Sequence, residues 1–227
     1  MTAMTMGAGY LAGAWFFARV VRAGSWHRVG VGFLGTTVFT ALLLLATLLH
    51  WDRFNHDHVS FWAWLGLYLA TPVLLPWLWV RNRRTDPGVA EPGDLVPRWL
   101  RITGGTAGGL QLAFAAYMFA SPATVSRHWP WTLTPLTART LSAFVAFPAV
   151  TWLCLLFERR WSCFRIPLQT ATVGLALVAV GAVRAADEFD GPRLGVWLYV
   201  GALGGSLAWL IALQLVYRRA PAAREEG

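Results

Sequence analysis

The sequence contains no lysine, and all 19 of its basic residues are arginines. A Schiff base to a cofactor such as retinal needs a lysine amine, so that chemistry is excluded. Cysteine is also scarce. Cys154 is expected within a membrane helix and Cys163 in a loop on the reducing side of the membrane, so no structural disulfide is predicted. Charged residues make up 13% of the chain, about half of their usual share in soluble domains.

Signatures of catalysis and of ion pathways are missing as well. There is no Gly-x-Ser-x-Gly elbow, no His-Glu-x-x-His motif and no phosphate-binding glycine loop. Ionisable side chains deep inside membrane segments usually mark proton or ion pathways, and none lies at mid-depth here. A proton pump, a carrier with an internal carboxylate and a buried bis-histidine haem site are therefore disfavoured. No cofactor is predicted.

Long apolar stretches dominate what is present. Hydrophobic residues account for 56% of the sequence, and the mean hydropathy is +0.49. A helix needs about 20 apolar residues to cross a bilayer. The sequence therefore predicts an all-α membrane protein with seven transmembrane helices, near residues 4–21, 30–49, 59–80, 99–120, 137–157, 167–183 and 194–217.

The arginines predict the orientation of these segments. With seven alternating spans, 14 arginines fall on one side and 5 on the other. Cytoplasmic loops carry the excess of positive charge, so we expect the N-terminus outside and the C-terminus in the cytoplasm of a bacterial inner membrane. The net charge of +8 then reflects contact with an anionic bilayer and not with nucleic acid. A homo-oligomer or a membrane partner remains an open expectation.

An internal repeat organises the chain. Residues 2–84 (the first copy) align without gaps to residues 137–219 (the second copy) at an offset of 135, with 18 identities in 83 positions. Composition alone would give roughly 7 or 8. Three spans per copy would invert the second copy, and the additional fourth span restores its orientation. The expected layout is a first three-helix repeat (1–84), a cytoplasmic connector (85–98), a linker helix and outer loop (99–136), a second three-helix repeat (137–219) and a tail (220–227).

This 3+1+3 layout resembles that of the SWEET-type sugar transporters, which also have seven spans and parallel repeats. The resemblance is one of architecture, and the Pro-Gln pair of the related PQ-loop carriers does not occur in the sequence. The amino-acid sequences of residues 49–54 and 129–139 also resemble segments of small unassigned polytopic membrane proteins of actinobacterial type. The first resemblance implies a transporter, and the second implies no activity.

A histidine-rich loop of the first copy is one candidate site. His50, Asp52, His56 and His58 lie on the predicted outer side, and imidazole and carboxylate groups suit a divalent metal such as zinc. Their spacing matches no established metal motif, and the second copy retains only the aspartate. A solvated loop with interfacial histidines is the alternative interpretation.

A second candidate is the acidic and aromatic unit that both copies share. It forms an outer-face patch from Asp52, Phe54, Trp62, Asp187, Phe189 and Trp197. These residues either cap and anchor helices at the membrane interface or flank an outward opening.

Polar and proline positions within the spans suggest a substrate pathway between the copies, lined by Pro72, Pro76, Gln111 and Gln214. Proline bends helices and opens their packing, although glutamines more often join helices than bind substrate. The first functional hypothesis is a transporter or permeation unit for a small solute or lipid-like molecule. The alternatives are a structural or regulatory membrane subunit that binds a partner or lipid, and an outer-face metal-dependent enzyme.

Overall fold

The structure is a computed structural model that describes residues 1–86, 88, 90, 94–189 and 194–217. Within these residues the regular secondary structure is helical, apart from one isolated antiparallel bridge between Leu95 and Arg160. The α-helices are α1 (Thr2–Arg22), α2 (His27–Leu49), α3 (Val59–Asn82), α4 (Arg98–Ala120), α5 (Pro122–His128), α6 (Pro135–Leu153), α7 (Ser162–Arg184) and α8 (Leu194–Tyr217).

In the part of the chain that the structure describes, five helices are long and apolar enough to cross a membrane, namely α2, α3, α6, α7 and α8. This finding supports a multi-pass membrane protein. The helices α1 and α4 have 21 and 23 residues, which corresponds to about 31–35 Å at a rise of 1.5 Å per residue. They therefore have the length of a span, but they are less apolar. The short helix α5 lies in the predicted outer loop, where the sequence indicated no helix.

The start of α7 differs from the prediction for a physical reason. The apolar run predicted a span that begins near residue 167. The helix instead begins at Ser162, whose backbone N–H and hydroxyl both donate to the Asp94 carboxylate, at 2.8 and 2.6 Å. A residue distant in sequence caps this helix, and Pro167 lies inside it.

The helices pack in an interleaved arrangement. The main neighbour of α1 is α7, and α6 packs on both α2 and α4. The helices α2 and α7 contact each other, while α3 packs mainly on α2 and α8 mainly on α7. The first three helices therefore do not form a bundle separate from the last three. We call the end of the bundle where α1 begins and α2 ends the His50 end, and the opposite one the Arg160 end.

Glycine allows α4 to approach α6 very closely. A Cβ atom on Gly108 would lie 2.5 Å from the Leu153 backbone nitrogen and 2.7 Å from the Ala149 carbonyl oxygen. Gly104 and Gly105 are buried on the same side, against Leu155 and Leu156. The glycine face of α4 is thus buried against α6, whereas Leu110 and Phe114 on its other face are 69% and 47% exposed, so α4 lies at the edge of the bundle. Small residues give helices in membranes their closest contacts.

The Arg160 end is held by an ion cluster that sequence reasoning did not identify. Arg160 is 8% exposed, and its guanidinium donates to both Asp86 oxygens at 2.6 and 2.7 Å and to Glu158 at 2.7 Å. The hydrogen bonds from Arg160 hold the pKa of Asp86 down at about 2. The described part of the connector before α4 is thereby fastened to the segment before α7.

Candidate ligand cavity

A cavity of about 890 Å³ lies in the centre of the helices. All seven long helices contribute side chains to its wall, as do Trp129 and Trp131 from the segment before α6. Along α1 the lining runs from Thr5 to Phe17, a distance of about 18 Å at 1.5 Å per residue. The volume lies within the range of sites for drug-sized molecules, which is roughly 300–1,000 Å³.

The cavity wall is mainly apolar and aromatic, and none of its described lining residues is charged. Its hydroxyl groups are distributed over most of the helices. Several threonine hydroxyls donate to carbonyls of their own helix, for example Thr36 to Gly32 at 2.8 Å and Thr71 to Leu67 at 2.8 Å. These oxygens keep their acceptor capacity, so the wall offers hydrogen-bond acceptors to a ligand that carries donors.

Two tyrosines add a polar point inside the cavity. The hydroxyls of Tyr10 on α1 and Tyr68 on α3 are 3.1 Å apart, and both residues line the cavity. One hydroxyl must donate to the other, so the accepting tyrosine keeps its own O–H for a ligand. Tyr68 is only 3% exposed, which places this group well inside the protein.

The four predicted pathway residues have different locations. Gln111 lines the cavity and donates from Nε2 to the Val145 carbonyl at 3.1 Å, which leaves its Oε1 as an acceptor. Gln214 lies outside the lining and joins α8 to α7 through a 2.5 Å hydrogen bond to Thr172. Pro72 and Pro76 lie within α3 but also outside the lining. Their neighbours Thr71 and Leu75 face the cavity instead.

The outer-face residues lie at the His50 end. Asp52 and Asp187 occupy equivalent 3₁₀ turns after α2 and α7. Trp62 and Trp197 are 53% and 66% exposed, as expected of indoles at a membrane interface. The two phenylalanines pack within separate aromatic groups: Phe54 lies 5.6 Å from Phe61, and Phe189 lies 5.7 Å from Trp131.

The histidine-rich loop does not form a metal-binding group. No cluster of three or more His, Cys, Asp or Glu side chains suited to a metal occurs among the described residues. The His56 ring stacks on Trp51 at 4.6 Å. The Nε2 atom of His50 lies 2.7 Å from the Arg139 guanidinium, so a cation occupies the position a metal would need. Asp52 and His58 are exposed.

Arg139 is a residue whose role the sequence did not reveal. Besides His50 it contacts the end of α4, where its Nε donates to the Phe119 carbonyl at 3.2 Å. It therefore joins the start of α6 to the ends of α2 and α4. Because the guanidinium can only donate, His50 accepts through an unprotonated Nε2. Burial, followed by the charges of Arg139 and Arg53, lowers the pKa of His50.

Comparisons with protein-family models, with curated proteins and with solved structures find no significant match to this chain.

Proposed function

We propose that this protein is a seven-span membrane carrier for a small lipid-like molecule, which binds in the central cavity. The central cavity is the observation that supports this proposal. An apolar wall without charge suits a hydrophobic body, and its distributed hydroxyl oxygens suit one or a few hydroxyl groups on the ligand. An ion or a strongly polar sugar would lose more hydration than such a wall replaces.

The pairing of the helices supports a carrier built from two equivalent copies. An offset of 135 relates α1 to α6, α2 to α7 and α3 to α8. The contact of α1 with α7 then corresponds to that of α6 with α2, and the contact of α2 with α3 corresponds to that of α7 with α8. The bounds of α2, His27–Leu49, match those of α7, Ser162–Arg184, at the same offset.

The cavity follows the same equivalence. Thr71 and Ser206 are related by the offset and both line it, as do Leu75 and Leu210. Carriers built from repeats place their substrate site where the repeats meet, near the middle of the membrane. The lining of this cavity agrees with that arrangement.

Photolabelling tests binding in the cavity. The probe is a hexadecanol with a diazirine in its chain, applied to the purified protein in nanodiscs. Gly13→Leu places a side chain in open space on the cavity wall, whereas Gly7→Leu on the same helix places one on the exposed face. We expect labels on the central turns of α1, α3 and α8, a loss of about tenfold in Gly13→Leu, and no loss in Gly7→Leu. Labelling restricted to exposed helix faces, and equal in both variants, contradicts the proposal.

Proteoliposomes test transport. A fluorescent short-chain lipid in both leaflets is quenched from outside with dithionite, and the protein is expected to make the inner-leaflet pool accessible. The Gly13→Leu variant should slow this step and Gly7→Leu should not. If the cavity is photolabelled specifically but the protein does not accelerate lipid movement between the leaflets, the carrier function is contradicted. The alternative function, a membrane subunit that binds lipid, is then supported.

A further inference from the structure

Trp131 fills a defined aromatic site at the His50 end. It is 2% exposed, and its ring lies 5.7 Å from Phe189 and 5.1 Å from Tyr199. Its indole N–H donates to the Thr2 hydroxyl at 2.8 Å. The site is therefore an aromatic box closed by one hydroxyl acceptor, and a tryptophan from the segment before α6 occupies it.

The positions that the offset of 135 relates to this box form a second box. An offset of 135 relates Phe189 to Phe54, Tyr199 to Trp64 and Thr2 to Thr137. All three of these counterparts line one pocket of about 440 Å³ between α2, α3 and α6. The pocket shares no lining residue with the central cavity.

The rest of the pocket wall repeats the Trp131 surroundings. Leu141 and Val178 belong to the apolar cluster around Trp131, and their counterparts Met6 and Leu43 line the pocket. Phe61, which is 6% exposed, adds a further aromatic wall. The mouth is polar and exposed, with His58 and Ser60 at its edge.

The acceptor at the pocket is also in place. The Thr137 hydroxyl donates to the Thr134 carbonyl at 3.0 Å and accepts the Thr134 N–H at 2.8 Å within the capping box of α6. The Thr134 hydroxyl lies 3.1 Å from the same oxygen, so the second lone pair is open to a ligand when the Thr134 O–H turns to another acceptor. At the box that Trp131 fills, the Thr2 oxygen at the equivalent position accepts the indole N–H.

We propose that this pocket binds a small molecule with an indole-class ring, which is a flat aromatic ring of two fused cycles that carries a ring N–H. The ring lies between Phe54 and Trp64, as Trp131 lies between Phe189 and Tyr199, and its N–H donates to Thr137. Offset and edge-to-face aromatic contacts suit such a ring. The polar mouth leaves room for a substituent that extends into water. The site is separate from the carrier cavity and goes beyond the proposed function.

Fluorine NMR of 5-fluoroindole tests the proposal on the full chain in nanodiscs, with empty nanodiscs as the measure of partition into lipid. The wild type should show one saturable site. Ser60→Trp closes the mouth, while Ala63→Trp lies on the exposed face of the same helix. We expect Ser60→Trp to weaken binding at least tenfold and Ala63→Trp to leave it unchanged. A 1-methyl probe, which lacks the ring N–H, should bind about fivefold more weakly, as the loss of one hydrogen bond implies.

Trp131→Ala provides a test in which indole binding is expected to increase. Emptying the occupied box should raise the number of indole sites from one to two. If this variant does not fold, the comparison of Ser60→Trp with Ala63→Trp still decides the proposal. An absence of saturable binding to the wild type overturns it. So does binding that Gly13→Leu removes and Ser60→Trp does not, because the ring would then occupy the central cavity.

Discussion

Replacing Gly108 by alanine tests how closely α4 lies on α6. The new methyl carbon would lie 2.5 Å from the Leu153 nitrogen, 2.7 Å from the Ala149 oxygen and 2.7 Å from the Trp152 Cβ. None of these atoms can rotate away, since all belong to the backbone or to its first side-chain carbon. The two helices must therefore separate by almost 1 Å to restore ordinary contact. Overpacking of this kind costs about 1–3 kcal/mol.

Gly109→Ala is the matched control one residue further along α4. Its methyl carbon would have a nearest neighbour at 3.8 Å, the Leu153 Cδ1 atom, which is ordinary contact. Both substitutions share the gain in helix propensity, up to about 1 kcal/mol. The difference between the two variants therefore isolates the cost of the collision, and we expect Gly108→Ala to be less stable by about 1–3 kcal/mol.

Thermal unfolding in one detergent, followed by tryptophan fluorescence, measures this difference. For a chain of this size 1 kcal/mol corresponds to a shift of about 2–4 °C in the unfolding midpoint. Gly108→Ala should thus unfold several degrees below Gly109→Ala. Equal midpoints for the two variants would show that α4 does not contact α6 through Gly108, and the helix packing described above would be wrong.

Three further predictions concern charged groups at the two ends. Arg160→Gln leaves the partly buried carboxylates of Asp86 and Glu158 without their arginine partner and should cost about 2 kcal/mol in the free energy of unfolding. Arg159→Gln, at an exposed position, should cost almost nothing in the same denaturation assay. Because the folded pKa of Asp86 is depressed from 3.8 to about 2, its contribution of about 2 kcal/mol is present above pH 4 and is lost as the pH falls toward 2; Asp86→Asn should flatten the pH profile there. The lowered pKa of His50 means that protonation breaks its contact with Arg139, so stability should fall as the pH drops below about 6.5, and His50→Gln should remove that loss.

Local sequence patterns predicted much of the fold. Apolar runs of span length predicted the long helices because burial in lipid depends on composition within one segment. The glycines of α4 could be recognised as a packing face because residues four positions apart lie on the same side of a helix. The first turn of α7, which precedes the predicted span, has a different origin. The capping residue, Asp94, is distant in sequence. The residues next to Ser162 therefore do not indicate that a helix begins there.

The candidate sites depended on which helices become neighbours. Gln111 and Gln214 look alike in sequence, yet Gln111 faces the cavity and Gln214 bonds to Thr172 on the adjacent helix. His50 appeared to be a metal ligand because other histidines follow it closely, whereas its actual partner is Arg139. Similar residue type did not place the two glutamines in one site, and proximity in the chain did not place the histidines in one site.

By itself the sequence predicted a helical membrane protein with most of its charge outside the long apolar segments. It also contained the alignment at an offset of 135, from which we infer two related copies. Only the tertiary structure decided that α1 packs on α7 and α6 on α2, and that the cavity among them has no charged side chain among its described lining residues. Span formation depends on the transfer of each segment into lipid, which is a local property. Helix pairing depends on the fit of two surfaces that are more than 100 residues apart, and composition contains no record of that fit.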